Sequence, residues 1–293
     1  MKDKKLITEK LAKIIFITAA VFSIAAIITI CIFLFANGIP AIRKIGIINF
    51  LFGSVWNPSA GKYGILTMIV GTIYVAAGCL IVSVPVGVLT AVCITKYCGK
   101  KTKAVLEQII NILAGIPSII YGFFGMIILV PFAKELAYIL GISGASGSGI
   151  FVGSIILGIM VLPTIINLSV TAIENVPKSY FEGSTALGAI KERTIVKVIL
   201  PAAKSGIFTS IILGTGRAIG ETMALALVLG NSATFPKSIF HSMENLTVAI
   251  VKELSYAEGL HYEALISIGL VLFVFILIFS FSLKLIKKGN KNG

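Results

Sequence analysis

The chain has 293 residues, 57% hydrophobic and 13% charged, with a formal net charge of +13 and a mean hydropathy of +1.03. A soluble domain of this length carries about a quarter of its residues as charged ones, so the composition excludes a water-soluble enzyme or binding module. No strand-like alternation suggests a barrel, and the bilayer then requires helices: the fold class is all-α, a polytopic membrane helical bundle.

Six apolar windows are long enough to cross a bilayer, where about 20 residues suffice. They cover 14–36, 65–94, 109–132, 149–173, 205–229 and 263–286. Residues 1–13 and 287–293 read as tails, and 14–286 as one transmembrane domain with a long connection at 174–204. The first window follows a lysine-rich start. At Ile14–Phe35 it is too long for the apolar core of a secretory leader and no small-residue cleavage site follows cleanly, so it is expected to be a retained span.

The charge of +13 would also suit a nucleic-acid binder, but its distribution does not. The N-terminal tail (Lys2, Lys4, Lys5, Lys10, Lys13), the second connection (Lys96, Lys100, Lys101, Lys103), the fourth (Lys178, Lys191, Arg193, Lys197, Lys204) and the C-terminal tail (Lys284, Lys287, Lys288, Lys291) hold 18 of the 25 basic residues. This is the positive-inside pattern of a protein with both termini cytoplasmic and the lipid bilayer, not nucleic acid, as its surroundings.

Prolines fall inside three spans. Pro85 and Pro163 are expected to interrupt spans two and four, and Pro117, flanked by Gly115 and Gly122, to break or kink span three. Backbone freed at membrane depth is tolerated where it faces protein or a water-filled cavity, so Gly115 and Pro117 are candidates for packing or gating. The stretch SGASGSG (143–149) reads as a small outer loop, with no lysine of its own to cradle phosphate. Cys31, Cys79, Cys93 and Cys98 are expected to be free thiols.

The connection 174–204 is patterned. Pro177 can start a helix in which Tyr180, Phe181, Ala186, Leu187 and Ile190 recur at helical spacing, with Gly188 interrupting it. A short amphipathic helix without spanning length must dock, either on this protein's own inner surface or on a cytoplasmic partner.

Span five contains GTGRAIGET (214–222), with Arg217 and Glu221 a turn apart. Arg217 lies 12 residues from Ser205, about 18 Å into a core ~30 Å thick. An arginine there costs roughly 2.5–3.5 kcal/mol, and an Arg–Glu pair at this spacing returns only about 0.2–0.5 kcal/mol. Stability alone does not explain the pair. The chain has 22 lysines and three arginines, and the basic residue at mid-membrane is an arginine, whose fork binds oxyanions at two points. Arg217 and Glu221 are therefore the candidate substrate pathway. Gly216 and Gly220 form a G-x-x-x-G step that lets another helix approach.

Several chemistries lack their residues. Asp3 is the one aspartate, and His241 and His261 both fall in the last outer loop, read here as hydrated. No catalytic or metal centre is expected. No G-x-x-x-x-G-K-[ST] phosphate loop occurs, so no bound cofactor and no ATP hydrolysis by this chain are expected.

The run Glu182-Gly-Ser, three residues, Gly188, nine residues, Val198-Ile-Leu200-Pro201 resembles the EAA loop of ABC-importer permeases, whose pattern is E-A-A, three residues, Gly, nine residues, I-x-L-P. Gly183, Ser184 and Val198 depart from it, and Gly183 weakens the helix by around 1 kcal/mol relative to alanine. The resemblance implies a type I importer permease with six transmembrane helices, in which Glu182, Leu187 and Gly188 contact the ATPase. LAGIPSIIYGFFG (113–125), FGSVWNP (52–58) with KYGILTMIVGTIY after it, and GRAIGETMALALVLGN (216–231) resemble the phosphate-specific members of that family, the PstC type in particular. What this implies is a phosphate-importer permease in a bacterial plasma membrane. Its implied partners are a PstA-like second permease, a PstB-like ATPase dimer that uses ATP, and a PstS-like extracytoplasmic binding protein. A sulfate or molybdate importer, or a secondary anion carrier, remains open, since no spacing measures the anion.

Overall fold

The computed structural model describes the backbone of residues 2–289 and the side chains of residues 9–281. The tail residues Lys2, Asp3, Lys4, Lys5, Lys284, Lys287, Lys288 and Lys291 fall outside those described side chains. Within them, six helical segments are long and apolar enough to cross a membrane: Glu9–Ile45, Leu66–Tyr97, Ser118–Ile139, Ile150–Glu174, Lys191–Gly220 and Gly259–Phe281.

In chain order, α1 (Lys2–Ile45) and the short α2 (Ile47–Phe52) lead into a small hairpin, β1 (Trp56–Asn57) paired antiparallel with β2 (Lys62–Tyr63). Then come α3 (Leu66–Val92), α4 (Lys100–Gly115), α5 (Ser118–Phe124) and α6 (Val130–Ile139). The long α7 (Ile150–Glu174) precedes α8 (Lys178–Ala186) and α9 (Lys191–Thr194). The remainder is α10 (Leu200–Gly220), α11 (Met223–Val228), α12 (Leu246–Glu253) and α13 (Gly259–Gly289).

The prolines act in two different ways. Contrary to expectation, α3 and α7 run unbroken through Pro85 and Pro163. One missing N–H is tolerable when the neighbouring turns stay bonded and packed on other helices. By contrast, Pro131 and Pro201 each follow a widened π turn, in which Val130 N–H reaches back to the Gly125 carbonyl and Leu200 N–H to that of Ile195. A proline ring crowds the turn before it, and an i→i+5 bond gives that turn more room.

The organising element is α7, sandwiched between α3 and α10. Glycines set the spacing: a methyl at Gly87 would lie 2.7 Å from Ile165 Cγ2, and one at Gly214 would lie 2.8 Å from Val161 Cγ1. A hydroxyl pair, Ser169 and Ser210 at 3.0 Å, is buried between α7 and α10. In lipid such contacts are held by dispersion and hydrogen bonding, because the surrounding acyl chains are as apolar as the core.

Three apolar clusters are stacked along the bundle. Ile156, Leu157, Val161, Leu225 and Leu229 centre the middle one, Phe50, Ile65, Met68 and Leu265 the hairpin end, and Ile94, Ile173 and Ile199 the lysine-rich end. Most of α1 is exposed along its apolar length and packs against α13, where Ser267 Oγ donates to the Gly38 carbonyl at 2.8 Å.

Candidate functional site

The close approach at Gly214 brings the next turn of α10 onto α7. Arg217, three residues further on, donates from Nη1 to Thr164 Oγ1 at 3.3 Å. Thr164 is 14 residues from Ile150 and 10 from Glu174, so the contact lies about 21 and 15 Å from the two ends of α7. Its place on α7 thus puts the guanidinium near the middle of that span, although α10 itself ends three residues beyond Arg217, at Gly220. Arg217 is nevertheless exposed on the surface of the single chain, and nothing lies within 4 Å of where a Cβ at Gly216 or Gly220 would be. A cation cannot face acyl chains at that depth without large cost.

Glu221 does not join Arg217 on a helical face. The continuous helix expected through 229 stops at Gly220, and Glu221 is extended (φ −70°, ψ 134°). Its Oε1 accepts from Ala224 N–H at 3.2 Å, closing the first turn of α11, and its carbonyl accepts from Thr247 Oγ1 at 2.9 Å. Among the described residues no ion pair links it to Arg217. A glycine before the carboxylate and a threonine after it lower helix propensity, and a side chain that can bond backbone N–H groups competes with the helix.

Span three is also in two pieces, as Pro117 suggested. Ile116 is extended (ψ 127°), the conformation the following proline demands. Leu113 has no Pro117 N–H to receive, and its carbonyl accepts instead from Ile116 N–H at 3.3 Å and Tyr121 O–H at 2.9 Å. Beyond the break Gly122 packs onto Ala224 and Leu227 of α11, so the two interrupted spans meet. Gly115 faces open space.

At the lysine-rich end, α8 stops as its sequence requires. Gly188 takes φ 84°, Gly188 N–H bonds Thr185 O at 2.9 Å, and Ala189 N–H bonds Ser184 O at 3.2 Å. This is a Schellman closure with glycine in the left-handed position. Ser184 and Thr194 hydroxyls at 2.9 Å tie α8 to α9. Of the expected apolar face, Phe181 packs inward against the bundle, whereas Leu187 is 91% exposed and Tyr180 and Ile190 are also exposed. Glu182 is exposed beside them.

The hairpin end differs from the hydrated loop expected there. His261 Nε2 lies 2.7 Å from Glu253 Oε2, both largely buried, and Trp56 Nε1 donates to the same carboxylate at 3.0 Å. Glu244 is 3% exposed and meets Lys252 Nζ at 3.2 Å. Burial pushes its carboxyl above the ordinary range, and Lys252 draws it only partly back. Sequence reasoning missed Thr164 as the partner of Arg217, although its polar character within a span was a signal. It also missed the Trp56–Glu253–His261 cluster, whose signal was a lone tryptophan ahead of span two.

Comparison with known proteins adds an independent line. Residues 83–292 match the model of the family described as "Binding-protein-dependent transport system inner membrane component". Among relatives, a probable ABC transporter permease protein of Bacillus subtilis, YqgH, is 34% identical over 99% of this chain and 94% of its own length. The phosphate transport system permease protein PstC of Haemophilus influenzae is 34% identical over 88% and 87%, and a probable PstC of Methanocaldococcus jannaschii 33% over 94% and 92%. Two solved structures share the fold. A methionine ABC transporter in inward-facing form has a TM-score of 0.56 and 20% identity, covering 78% of this chain and 94% of that one. A bacterial alginate ABC importer has 0.60 and 16%, covering 92% and 94%. The architecture is that of a type I ABC-importer permease.

Proposed function

This chain belongs to the family of binding-protein-dependent transport system inner membrane components, and from that premise we propose that it is a membrane permease subunit of an ATP-driven phosphate importer. It forms half of the transmembrane pathway, beside a second, PstA-like permease. A PstB-like ATPase dimer docks on α8 and a PstS-like binding protein delivers the anion on the opposite face. The PstC relatives support phosphate as the cargo.

The observation that carries the reading is Arg217 at mid-membrane, exposed on this chain and flanked by the bare Gly216–Gly220 step. That face suits a subunit interface with an anion route along it. Arg217 lowers the barrier for a passing oxyanion, and the Glu221 carboxylate four residues on keeps the well shallow, since a deep well would stall transport. ATP binds and is hydrolysed on the partner; this chain needs no cofactor of its own. Closure of the ATPase dimer moves α8 through Glu182, Leu187 and Gly188, and the movement opens the route outward. The chain sits in the bacterial plasma membrane with both termini cytoplasmic.

The test is ATP-driven uptake of radiolabelled phosphate and sulfate by the complete complex in vesicles. Phosphate uptake is expected, with sulfate excluded, and Arg217→Ala abolishes it while the four kinds of subunit still co-purify. Normal uptake by that variant removes Arg217 from the pathway.

A further inference from the structure

The half of α7 between Thr164 and Glu174 carries a polar row that the pathway described so far does not use. Thr164, Asn167, Thr171 and Glu174 fall within an arc about 80° wide at 100° per residue. Their rise carries the row about 15 Å from Arg217 toward the lysine-rich end. Buried side chains occupy the other face: Ile165, Ile166, Val170 and Ile173. Thr171 and Glu174 are exposed and Thr164 and Asn167 half-exposed, so the row is open on the single chain.

Neighbouring elements extend it with further polar groups. Asn167 Nδ2 donates to Asn111 Oδ1 of α4 at 3.1 Å. Glu174 pairs with Lys103 at the start of α4. Beyond it a cleft of about 690 Å³ opens, lined by Lys96, Lys178 and Lys191 and by the carboxylates of Glu174 and Glu182. Polar side chains thus recur from the guanidinium at mid-membrane to a cleft beside α8 in which three lysines outnumber two carboxylates.

Packing does not account for it. An interhelical hydrogen bond in a membrane protein is worth only about 0.6 kcal/mol on average, and among the described residues neither amide makes a second side-chain hydrogen bond. Leucine at either position would suit a lipid-facing or helix-facing surface better. Neutral hydroxyls and amides do suit an anion in transit. The amides replace its water by donors, while the Thr171 hydroxyl, whose proton goes to the Asn167 backbone carbonyl at 2.9 Å, can accept from the O–H of a protonated oxyanion.

We propose that Thr164, Asn111, Asn167 and Thr171 are the uncharged steps by which a hydrated oxyanion passes from Arg217 to the lysine-lined cleft. The Asn111–Asn167 amide bridge crosses the route between α4 and α7. The assignment rests on the reading of Arg217 as a pathway residue.

The complete complex in vesicles tests it. With Cys31, Cys79, Cys93 and Cys98 replaced by serine, Asn167→Cys and Thr171→Cys are exposed singly to a small charged methanethiosulfonate. Both are expected to react, to lose uptake on reaction and to react more slowly in saturating inorganic phosphate, whereas buried Ile166→Cys stays unmodified. In the native-cysteine background, Asn167→Leu should lower the maximal uptake rate roughly tenfold, the effect of losing one hydrogen bond to a charged group. Asn167→Ser should restore most of it, and ATPase association should not change. Unreactive cysteines at both positions in an assembled, transporting complex would mean that the second permease packs on this face, and normal uptake by Asn167→Leu would mean that the amide does not serve transport; either result overturns the proposal. If Arg217→Ala is inactive while these results hold, only the inner route fails. Full uptake by Arg217→Ala fails the broader reading as well.

Discussion

The Glu221 carboxylate rests on the backbone N–H of Ala224 at 3.2 Å, while Arg217, four residues earlier, donates to Thr164 on another helix. Two charges that look like one another's partners in the sequence thus have separate structural tasks. One starts a helix, and the other joins two.

Glu221→Ala should therefore lower thermal stability by about 1 kcal/mol, the usual loss of a helix-starting acceptor. Glu221→Gln keeps an acceptor and should lose only part of that. Its effect belongs to transport instead: with the negative charge four residues on gone, Arg217 holds the anion longer, so KM and maximal rate both fall. Thermal unfolding in detergent and uptake kinetics in vesicles separate the two outcomes. A glutamine variant with unchanged kinetics would leave Glu221 a cap alone.

At α8 the predictions divide between shape and surface. Gly188→Ala forces φ 84° on a residue with a Cβ, at roughly 1–2 kcal/mol, so the end of α8 should fray and ATPase stimulation should weaken. Leu187→Asp alters a side chain that is 91% exposed and should leave stability unchanged while releasing the ATPase. Glu182→Lys should likewise detach or uncouple it. Pull-down of the ATPase by the purified permease pair reads all three, and undiminished binding by both Leu187→Asp and Glu182→Lys would place the docking surface elsewhere.

Glu244 predicts a pH dependence at the hairpin end. Its native carboxyl titrates above the ordinary glutamate range because it is buried, and Lys252 offsets this only in part. Over the interval between the ordinary and the raised value, the native state binds more proton than the unfolded one. Stability therefore falls as pH rises through that interval and is lowest once both states are ionised. Glu244→Gln should flatten the profile and raise Tm at neutral pH. A wild-type Tm that climbs with pH across the same interval would contradict the assignment.

Much of the fold is legible in the sequence. Span number followed from length and apolarity, because a bilayer leaves the backbone little choice. The short helix α8 and its glycine stop followed from a short amphipathic run with a residue suited to positive φ. What the sequence concealed was continuity. Pro85 and Pro163 were expected to interrupt their helices and do not, whereas Gly220-Glu221-Thr222 looked helical and is a break. The difference lies in tertiary context: α3 and α7 pack closely on each other, which holds the turns around their prolines, while Glu221 and Thr247 offer the backbone at 221–224 other partners. Arg217 could be placed by depth, but its partner Thr164 lies 53 residues away and no local pattern points to it.

The bond between Ser267 and the Gly38 carbonyl joins the first membrane helix to the last across 229 residues of chain. During synthesis α1 enters the bilayer long before its dock on α13 exists. For most of translation it must therefore remain as a solitary helix in lipid, which its almost uniformly apolar surface allows. The ribosome has to finish the chain before the bundle can close, so a truncation within α13 should leave the whole permease open to membrane quality-control proteases rather than merely shortened.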